Sequence, residues 1–570
     1  MKNTDVAKIF REIADLLEIL EDSFKPQAYR RAARTIEQLP EPLSDIAARG
    51  ELEQIKGVGK ALGKKIQELL DTGDIEYLHR LRTEVDPGLI ELLKIPDVGP
   101  KTVRALHREL GITTVDDLRT ALEEHKVQNL SGFGPRSEEK LRSNLEIFKT
   151  QSKRIFISSA LPIAEALVAD LKQLPEVLQI KIAGSLRRWR ETIGDIDILV
   201  SASNPLLVMQ RFIEHPTVER VLVQGPTKSS VVVQKGIQVD LRVVDTESFG
   251  AALQYFTGST AHNIALRSLA RHQKWKLSEY CLLDTQTDRV IAGETEEAIY
   301  KALNMDWVPP ELRENTGEIE AAQAHKLPRL LELTDIKGDL HVHSTWSDGT
   351  DTIENIAKTA MNHKYKYLAI CDHSNNKTLS NGLDEERLQE QILYIRELNK
   401  TLDNLHLLAG IEVEILPDGS LDLSDKILTE TDIVVAGMHL ETKPKTSITD
   451  LLVNACKHEL VDILAHPTGH VFNQLSGFSI DFETLLDVAK RHGTILEISS
   501  FHQFDLTSEL SRQAISKGIK FAVNTDAHSA TGLAIIQYGV GFARRRWLES
   551  KDVINTYSLS QLRKILKHVH

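Results

Sequence analysis

The 570-residue chain is short of cysteine: Cys281, Cys371 and Cys456 are its only three, far apart and without any paired spacing. That excludes a disulfide framework and a cysteine zinc site, and it fits a reducing compartment. The chain also lacks a run of about 18 apolar residues, the minimum for a membrane-spanning helix. Its first residues, Met1-Lys2-Asn3-Thr4-Asp5, do not open a basic segment followed by an apolar one, so no secretory leader is expected. These absences lead to the expectation of a cytoplasmic protein with no membrane partner. Positive charge is scarce as well, 69 Lys and Arg against 82 Asp and Glu, a net −13. Taken alone this argues against nucleic acid, but phosphate contacts need local rather than net charge. The deficit is uneven: residues 1–315 hold 43 basic against 47 acidic side chains, the remainder 26 against 35. An acidic C-terminal half would repel a phosphate backbone unless cations offset it, a first hint of bound metals.

What is present is an ordinary globular composition, 41% hydrophobic and 26% charged, spread over a length that implies two to four domains. Residues 1–150 read as helical throughout; Val6, Ile9, Phe10, Ile13, Leu16, Leu17 and Leu20 form one amphipathic stripe. Strand-like segments follow at Lys181–Ala183, Asp195–Val200, Ser230–Gln234 and Gln238–Val244, with a turn at Lys235-Gly236. Helical segments then run to a break at Trp307-Val308-Pro309-Pro310, and 311–336 reads as a polar, partly helical linker. From Gly338 onward, short apolar strands (Tyr367–Cys371, Leu405–Gly410, Ile433–Ala436, Ile463–Ala465, Thr494–Ile498, Lys520–Val523) alternate with amphipathic helices. That alternation predicts an α/β barrel, with functional residues at the strands' C-terminal ends.

Three passages in the helical region share one design: Ile55-Lys56-Gly57-Val58-Gly59, Ile95-Pro96-Asp97-Val98-Gly99 and Leu130-Ser131-Gly132-Phe133-Gly134. Each precedes a Lys/Arg-bearing helix. Such a turn exposes backbone N–H groups at the positive end of the helix dipole, a site for phosphate. One turn of this kind is commonplace; three between residues 55 and 134 predict helix-hairpin-helix binding to the DNA backbone without reading sequence. The candidate contacts are Gly57, Gly59, Gly99, Gly132, Gly134, Lys60 and Lys64, the two lysines reading most simply as a solvated basic face.

The next constellation is Gly184-Ser185-Leu186-Arg187-Arg188 followed by Gly194-Asp195-Ile196-Asp197-Ile198-Leu199-Val200. On a strand, Asp195 and Asp197 share a face while Ile196 and Ile198 turn to the core. Paired carboxylates suit two Mg²⁺ ions, and Asp240, in Val239-Asp240-Leu241-Arg242, can complete the set from a neighbouring strand. Two such ions activate an attacking hydroxyl and stabilise a pyrophosphate leaving group. Gly184-Ser185 offers close backbone approach to a triphosphate, and Arg188 a charge-assisted contact.

With these motifs in place, residues 1–300 resemble the family X, or beta-like, DNA polymerases. Tyr255-Phe256-Thr257-Gly258-Ser259 is similar to that family's nucleotide-pocket motif. The resemblance implies that Tyr255 and Phe256 press on the sugar, that Asn263 and Arg267 contact the incoming nucleotide and the minor groove, and that Gly194 and Gly258 belong to the same pocket. It also implies a 5′-deoxyribose phosphate lyase lysine at Lys65, whose amine can attack an open sugar aldehyde. Tyr29, in Gln27-Ala28-Tyr29-Arg30-Arg31, falls in the segment lining that end of a DNA gap.

The C-terminal half opens with Asp339-Leu340-His341-Val342-His343-Ser344-Thr345-Trp346-Ser347-Asp348-Gly349. On a strand, His341 and His343 share a face and can chelate one ion. Asp372-His373, Gly410-Ile411-Glu412, Gly437-Met438-His439, Ala465-His466-Pro467 and Asp526-Ala527-His528 follow, each at or after an apolar strand. That placement gathers them on one barrel rim, and the residues alone imply phosphoester hydrolysis. The pattern resembles the PHP (polymerase and histidinol phosphatase) domain, with His341, His343, Asp348, His373, Glu412, His439, His466, Asp526 and His528 as ligands. The resemblance implies up to three Mn²⁺ or Zn²⁺ ions bridged by Glu412, and narrows the activity to a 3′→5′ exonuclease with cutting at abasic sites as a further capacity. Two departures bear on phosphate contact: Glu497-Ile498-Ser499-Ser500-Phe501-His502-Gln503-Phe504-Asp505-Leu506 lacks the Asn, Pro and Arg usual in relatives, and His470 stands where Arg is expected.

The whole is read as a multidomain chain. It comprises a helical 8-kDa-like DNA-binding domain (1–85), helix-hairpin-helix fingers (86–150), an α+β nucleotidyltransferase palm (151–245) and a thumb-like nucleotide-selection subdomain (246–310). A linker (311–336) and a distorted (β/α)7 PHP barrel (337–570) complete it. It is expected to fill gaps in DNA during repair from dNTPs, as a monomer on gapped or primer-template DNA, and to trim 3′ ends. The rival readings are a PHP half that hydrolyses a small phosphomonoester, or one that serves as a structural module.

Overall fold

The computed structural model describes the chain apart from residues 1–2, 21–24, 38, 40–42, 73–74, 94, 96–97, 131, 153, 375–380, 440–445, 469–479, 502–504 and 568–570. It divides into two compact units, Met1–Lys153 and Arg154–His570. Among the described residues no helix is long and apolar enough to cross a membrane.

The first unit is helical, as its periodicity predicts. In helix Asn3–Ile19, Val6, Phe10, Ile13, Leu16 and Leu17 are buried in the unit's core. Leu20, expected in the same stripe, lies beyond the helix end and is exposed. The three repeated turns share one backbone bond: Val58 donates to Ile55 O (2.9 Å), Val98 to Ile95 O (3.0 Å) and Phe133 to Leu130 O (3.0 Å). Ile55, Ile95 and Leu130 are buried anchors, and helices Lys60–Thr72, Pro100–Leu110 and Pro135–Ser152 start directly afterwards. Gly57 and Gly132 sit at φ +89° and +86°, a region that disfavours any Cβ, so the chemistry of the turn dictates glycine there. Pro96, Asp97 and Ser131 lie outside the described residues.

The second unit opens with a five-stranded sheet in the order Val177–Ile182, Asp195–Ala202, Ile237–Val244, Lys228–Val233, Val218–Gln224. Helices Ile157–Leu171 and Pro205–Ile213 cover one face, burying Ile196, Ile198 and Val200 as the alternation predicts. Strands Asp195–Ala202 and Ile237–Val244 pair in parallel, with Asp197 opposite Asp240. The region beyond Val244, where helical segments were expected, also holds a three-stranded antiparallel meander, Trp275–Leu277, Leu282–Asp284 and Val290–Ala292. Its strands of three residues are too short for a periodic signal to reveal them.

The expectation of a polar linker over 311–336 is corrected. This segment is packed: Leu312, Ile319, Ala322 and Leu330 join Tyr300 and Val308 in one core. Three of its charges, Glu311, Arg313 and Glu318, are internal, while Glu320, Lys326, Arg329 and Glu332 are exposed. Arg313, fully buried, places Nη1 2.6 Å from Glu296 Oε1, and Glu318 Oε1 lies 2.7 Å from His262 Nδ1. Composition counts such residues as surface because it cannot see their partners, yet removing one partner of a buried pair typically costs about 3–5 kcal/mol. Burial alone would raise the Glu296 carboxyl, but Arg313 and Arg187 hold it down at about 2.

The remainder is a parallel barrel of seven strands in sequence order: Gly338–Val342, Tyr367–Ile370, His406–Glu414, Ile433–Gly437, Ile463–Leu464, Ile495–Ser499 and Phe521–Asn524. The first and last strands meet, with His343 N donating to Ala527 O (2.9 Å) and Asp526 N to His341 O (3.0 Å). Closure places all seven C-terminal strand ends around one rim.

Candidate nucleotide pocket and metal centre

A pocket of about 350 Å³ sits over the palm sheet, lined by Gly184, Ser185, Arg188, Asp195, Asp197, Tyr255, Phe256, Gly258, Asn263 and Arg267. Ten of the sequence-derived nucleotide and catalytic candidates thus converge on one cavity. Asp240 is not in the lining but lies directly beside Asp197 on the next strand, mostly buried. Gly194 also falls outside the lining, where an added Cβ would meet the Arg154 guanidinium at 3.1 Å. Gly184 has a local reason to be glycine: it takes φ +63°, and a Cβ would fall 2.2 Å from Asp197 Oδ2.

The electrostatics of this pocket are those of crowded carboxylates. Burial, then the charges of Asp195 and Asp240, push Asp197 up to about 7; burial and Asp240 raise Asp195. Like charges held this close ionise together only with a cation between them. Asp240 accepts from Gln238 Nε2 at 2.7 Å and pairs with Lys228 Nζ at 3.1 Å. Ser185 Oγ is buried with no hydrogen-bond partner, an orphan a phosphate oxygen would satisfy. Asn263 is fixed by Gln254 Nε2 (2.7 Å) and donates Nδ2 to Tyr255 O (2.8 Å). Tyr255 and Phe256 stand edge-on, ring centres 5.2 Å apart, and Arg242 caps Phe256 at 4.5 Å. Gln238, Arg242 and Lys228 were not legible as site residues, because only strand register reveals who stands beside Asp240.

In the N-terminal unit, Lys60 and Lys64 are exposed on their helix and Lys65 is half-buried, its Nζ 4.6 Å from the Tyr77 ring centre. Tyr29 was expected to touch DNA; it is instead 4% exposed, packed on Phe10 (5.3 Å) and stacked with Tyr77 (6.4 Å). Its ring is committed to the core, so it supports Lys65 through Tyr77 rather than facing a strand of DNA.

All nine expected ligands of the barrel are brought together. Glu412 is the hub: its Oε2 lies 2.8 Å from His373 Nδ1 and 3.3 Å from His341 Nε2, and its Oε1 3.5 Å from His466 Nε2 and 3.9 Å from His439 Nε2. His343 Nε2 is 3.0 Å from Asp526 Oδ1, and His528 Nε2 is 3.3 Å from Asp348 Oδ2. Three groupings have donor atoms close enough to share an ion: His343, Asp348, His373 and His528; His341, His343 and Asp526; His373, Glu412 and His439. Several of these atoms (His341 Nε2, both ring nitrogens of His343, Glu412 Oε1) are buried without a hydrogen-bond partner. Orphans of that kind, in a mixed imidazole–carboxylate set, fit divalent ions. Gly437 is required here, since a Cβ would sit 2.3 Å from Glu412 Oε1. His466 (φ +26°) and Asp526 (φ +55°) both occupy the left-handed region, strain of the sort that persists where a site over-determines the backbone.

A second ring of carboxylates orients the first. Glu497 Oε1 lies 2.8 Å from His341 Nδ1, and its Oε2 accepts from His466 N at 3.2 Å; Glu414 Oε2 lies 2.9 Å from His439 Nδ1. Asp372 gathers Ser344 N (2.7 Å), Ser344 Oγ (2.6 Å) and Gln391 Nε2 (2.6 Å), shaping the loop that carries Asp348. Sequence reasoning placed none of the three in this role; Glu414, two residues past Glu412 on one strand face, was the available signal. In the departure segment, Asp505 accepts from Thr468 N (2.7 Å), and the exposed Phe501 ring lies 6.5 Å from His528. His502, Gln503, Phe504 and His470 lie outside the described residues.

Burial alone would lower His466 and His528, but Glu412 beside the one and Asp348 beside the other push both up to about 9. Metal ligation requires neutral imidazole. Mn²⁺ loading at pH 7 is therefore expected to release protons, and affinity to rise with pH until about 9 and fall as pH drops below it. Calorimetric titration in buffers of different ionisation enthalpy checks this; binding without proton release and with a pH-independent affinity would contradict it.

A nucleotide-sized pocket over three strand-borne aspartates, and a histidine-rich barrel rim on the same compact unit, define a nucleotidyltransferase fused to a metal-dependent phosphoesterase. The comparisons agree part by part. Residues 1–75 match the helix-hairpin-helix domain model and 89–146 the SAM-like helix-hairpin-helix tandem; 252–314 match the DNA polymerase beta thumb and 339–501 the PHP domain. Over its full length the chain is 37% identical to the DNA polymerase/3′-5′ exonuclease PolX of Bacillus subtilis (strain 168), covering 100% of both chains. It is 24% identical to DNA polymerase lambda of Rattus norvegicus over 55% of this chain and 56% of that one. It is also 30% identical to a probable phosphatase of Thermoanaerobacter sp. (strain X514), over 30% of this chain and 73% of the relative. The chain belongs to the family X DNA polymerases that carry helix-hairpin-helix and PHP domains.

Proposed function

We propose that this DNA polymerase and 3′-5′ exonuclease fills gaps during DNA repair in the cytoplasm as a monomer, with each activity housed in its own centre. The observation that carries the reading is Asp197 and Asp240 side by side on parallel strands beneath a pocket of about 350 Å³. Asp195, Asp197 and Asp240 would hold Mg²⁺, which when bound neutralises their charge and supplies activation of a 3′-hydroxyl. The chain's own residues do the positioning. Ser185 and Arg188 take the triphosphate, Tyr255 and Phe256 wall the sugar and exclude a 2′-hydroxyl, and Asn263 and Arg267 reach the base and the minor groove. Gly57, Gly59, Gly99, Gly132 and Gly134 present backbone N–H groups to DNA phosphates, with Lys60 and Lys64 beside them. His341, His343, Asp348, His373, Glu412, His439, His466, Asp526 and His528 would hold up to three Mn²⁺ or Zn²⁺ ions, which when bound supply hydroxide at neutral pH.

A 5′-labelled primer in a gap, incubated with Mn²⁺ with and without dNTPs, tests both centres at once. Extension to the end of the gap is expected with dNTPs and stepwise shortening without them. Release of free phosphate from a small phosphomonoester, with no shortening of DNA, would favour the phosphatase reading instead.

Lys65, over its aromatic floor, is proposed as the lyase nucleophile. Borohydride is expected to trap the protein on DNA bearing a 5′-deoxyribose phosphate, and Lys65→Ala to abolish the trapped species. Equal trapping by the variant would assign the Schiff base elsewhere.

A further inference from the structure

The barrel reaches the nucleotide pocket through one helix, Ile536–Arg545. Trp189, the residue after Arg188, packs against it: a Cβ on Gly541 would meet the Trp189 ring at 2.2 Å, and Tyr538 stands edge-on to the same ring at 6.2 Å. At the helix end Arg545, only 5% exposed, donates Nη1 to Arg188 O at 2.7 Å and lies 3.1 Å from Glu314 Oε1. The same Glu314 oxygen accepts from Arg188 Nε at 3.1 Å, with Arg190 at 3.7 Å. Arg188 in turn donates Nη1 to Thr257 O and lines the nucleotide pocket. One carboxylate oxygen is therefore divided between an arginine of the pocket and an arginine of the phosphoesterase barrel.

We propose that Arg545 is a positioning residue of the polymerase, keeping Arg188 available to the triphosphate by sharing Glu314 and by anchoring the Arg188 carbonyl. This rests on the reading of Arg188 as a triphosphate contact. The physics is a competition. Arg188 and Glu314 are both largely buried, where an ion pair is stronger than in water and is screened little. If Glu314 had Arg188 as its main cation, that pair would tighten, and an incoming triphosphate would have to displace a carboxylate to engage the guanidinium. A second buried cation on the same oxygen divides the attraction. The fixed carbonyl holds the backbone of Arg188 while its side chain exchanges partners. On this account the PHP barrel completes the dNTP site as well as carrying its own.

The test uses the full chain, measuring KM for dNTP and kcat in gap filling, with thermal unfolding and Mn²⁺-dependent shortening of a single-stranded primer as fold controls. Arg545→Met is expected to raise KM on the order of tenfold with kcat changed less than about threefold. Adding Glu314→Gln to that chain is expected to bring KM back to within about threefold of the unmodified protein, since the competitor is gone. A merely structural Arg545 would not be rescued in this way, and absence of rescue overturns the proposal. Glu314→Gln alone is expected to lower KM about threefold by releasing Arg188. An unchanged or raised KM there means that Glu314 holds Arg188 in place rather than competing for it, and overturns the proposal even if Arg545→Met fails to fold. Arg188→Ala separates the layers. If it leaves KM unchanged, the triphosphate reading fails; if it raises KM while Arg545→Met does not, only the role of Arg545 fails.

Discussion

Asp240→Ala is expected to lower gap filling by about a thousandfold or more while the exonuclease persists. Loss of one carboxylate from a two-ion site forfeits several kcal/mol of stabilisation, and each 1.36 kcal/mol is about tenfold in rate. Asp240 is suited to the experiment because it reaches the site from its own strand. The main-chain pairing of Asp195–Ala202 with Ile237–Val244 does not depend on its side chain. Its removal leaves Lys228 without its carboxylate, but Lys228 is partly solvated and can turn outward. A second readout is built in. Since Asp240 is one of the charges raising Asp197, the variant's Asp197 should ionise at lower pH, and the pH at which residual Mg²⁺ binding half-saturates should move down. Primer extension and Mn²⁺-dependent shortening, measured on one preparation, decide the matter. Loss of both activities in a folded variant would contradict separate centres.

The complementary substitution, His341→Ala, is expected to abolish shortening by about a thousandfold while extension in Mg²⁺ stays within about twofold. His341 is fully buried between Glu412 and Glu497, so the substitution tests the ligand role proposed for it at a single ring. Removing it leaves two buried carboxylates facing each other across a void, a change that added Mn²⁺ does not repair. Glu497→Gln should behave differently. It leaves the ligand in place but loosens its orientation, which typically costs about 10–100-fold in metal affinity, and excess Mn²⁺ should recover most of the rate. Titrating Mn²⁺ into both variants separates a lost ligand from a misdirected one. Full recovery of His341→Ala by metal would remove that residue from the ligand set.

The two centres were legible in the sequence for a common reason: strands fix geometry with short-range rules. A period of two puts Asp195 and Asp197 on one face, and the end of a barrel strand puts a histidine on the rim, whatever the rest of the chain does. Those rules pointed to Asp195, Asp197 and the barrel-rim histidines, whereas Tyr255, Phe256, Gly258, Asn263 and Arg267, on or beside helices, and the full set of nine barrel ligands were named through the family resemblance. What failed to show depends on partners distant in sequence. Arg313 and Glu296, or His262 and Glu318, look like solvated charges until the fold pairs them, and so 311–336 passed for a linker. Tyr29 looked available to DNA because nothing local reveals that Phe10 and Tyr77 enclose it. Glu414 and Glu497 are ordinary strand carboxylates until His439 and His341 turn their far nitrogens toward them.

The seam where the barrel shuts carries a consequence for how the protein is made. His341 lies on the first strand and His343 just past its end, whereas Asp526 and His528 arrive only after the last, and His343 N on Ala527 O joins the two. A chain clipped before residue 520 keeps Asp195, Asp197 and Asp240 but lacks Arg545, together with Asp526 and His528, two of the nine proposed barrel ligands. Closure of the rim, and with it the full ligand set proposed here, is thus the last step the growing polypeptide completes.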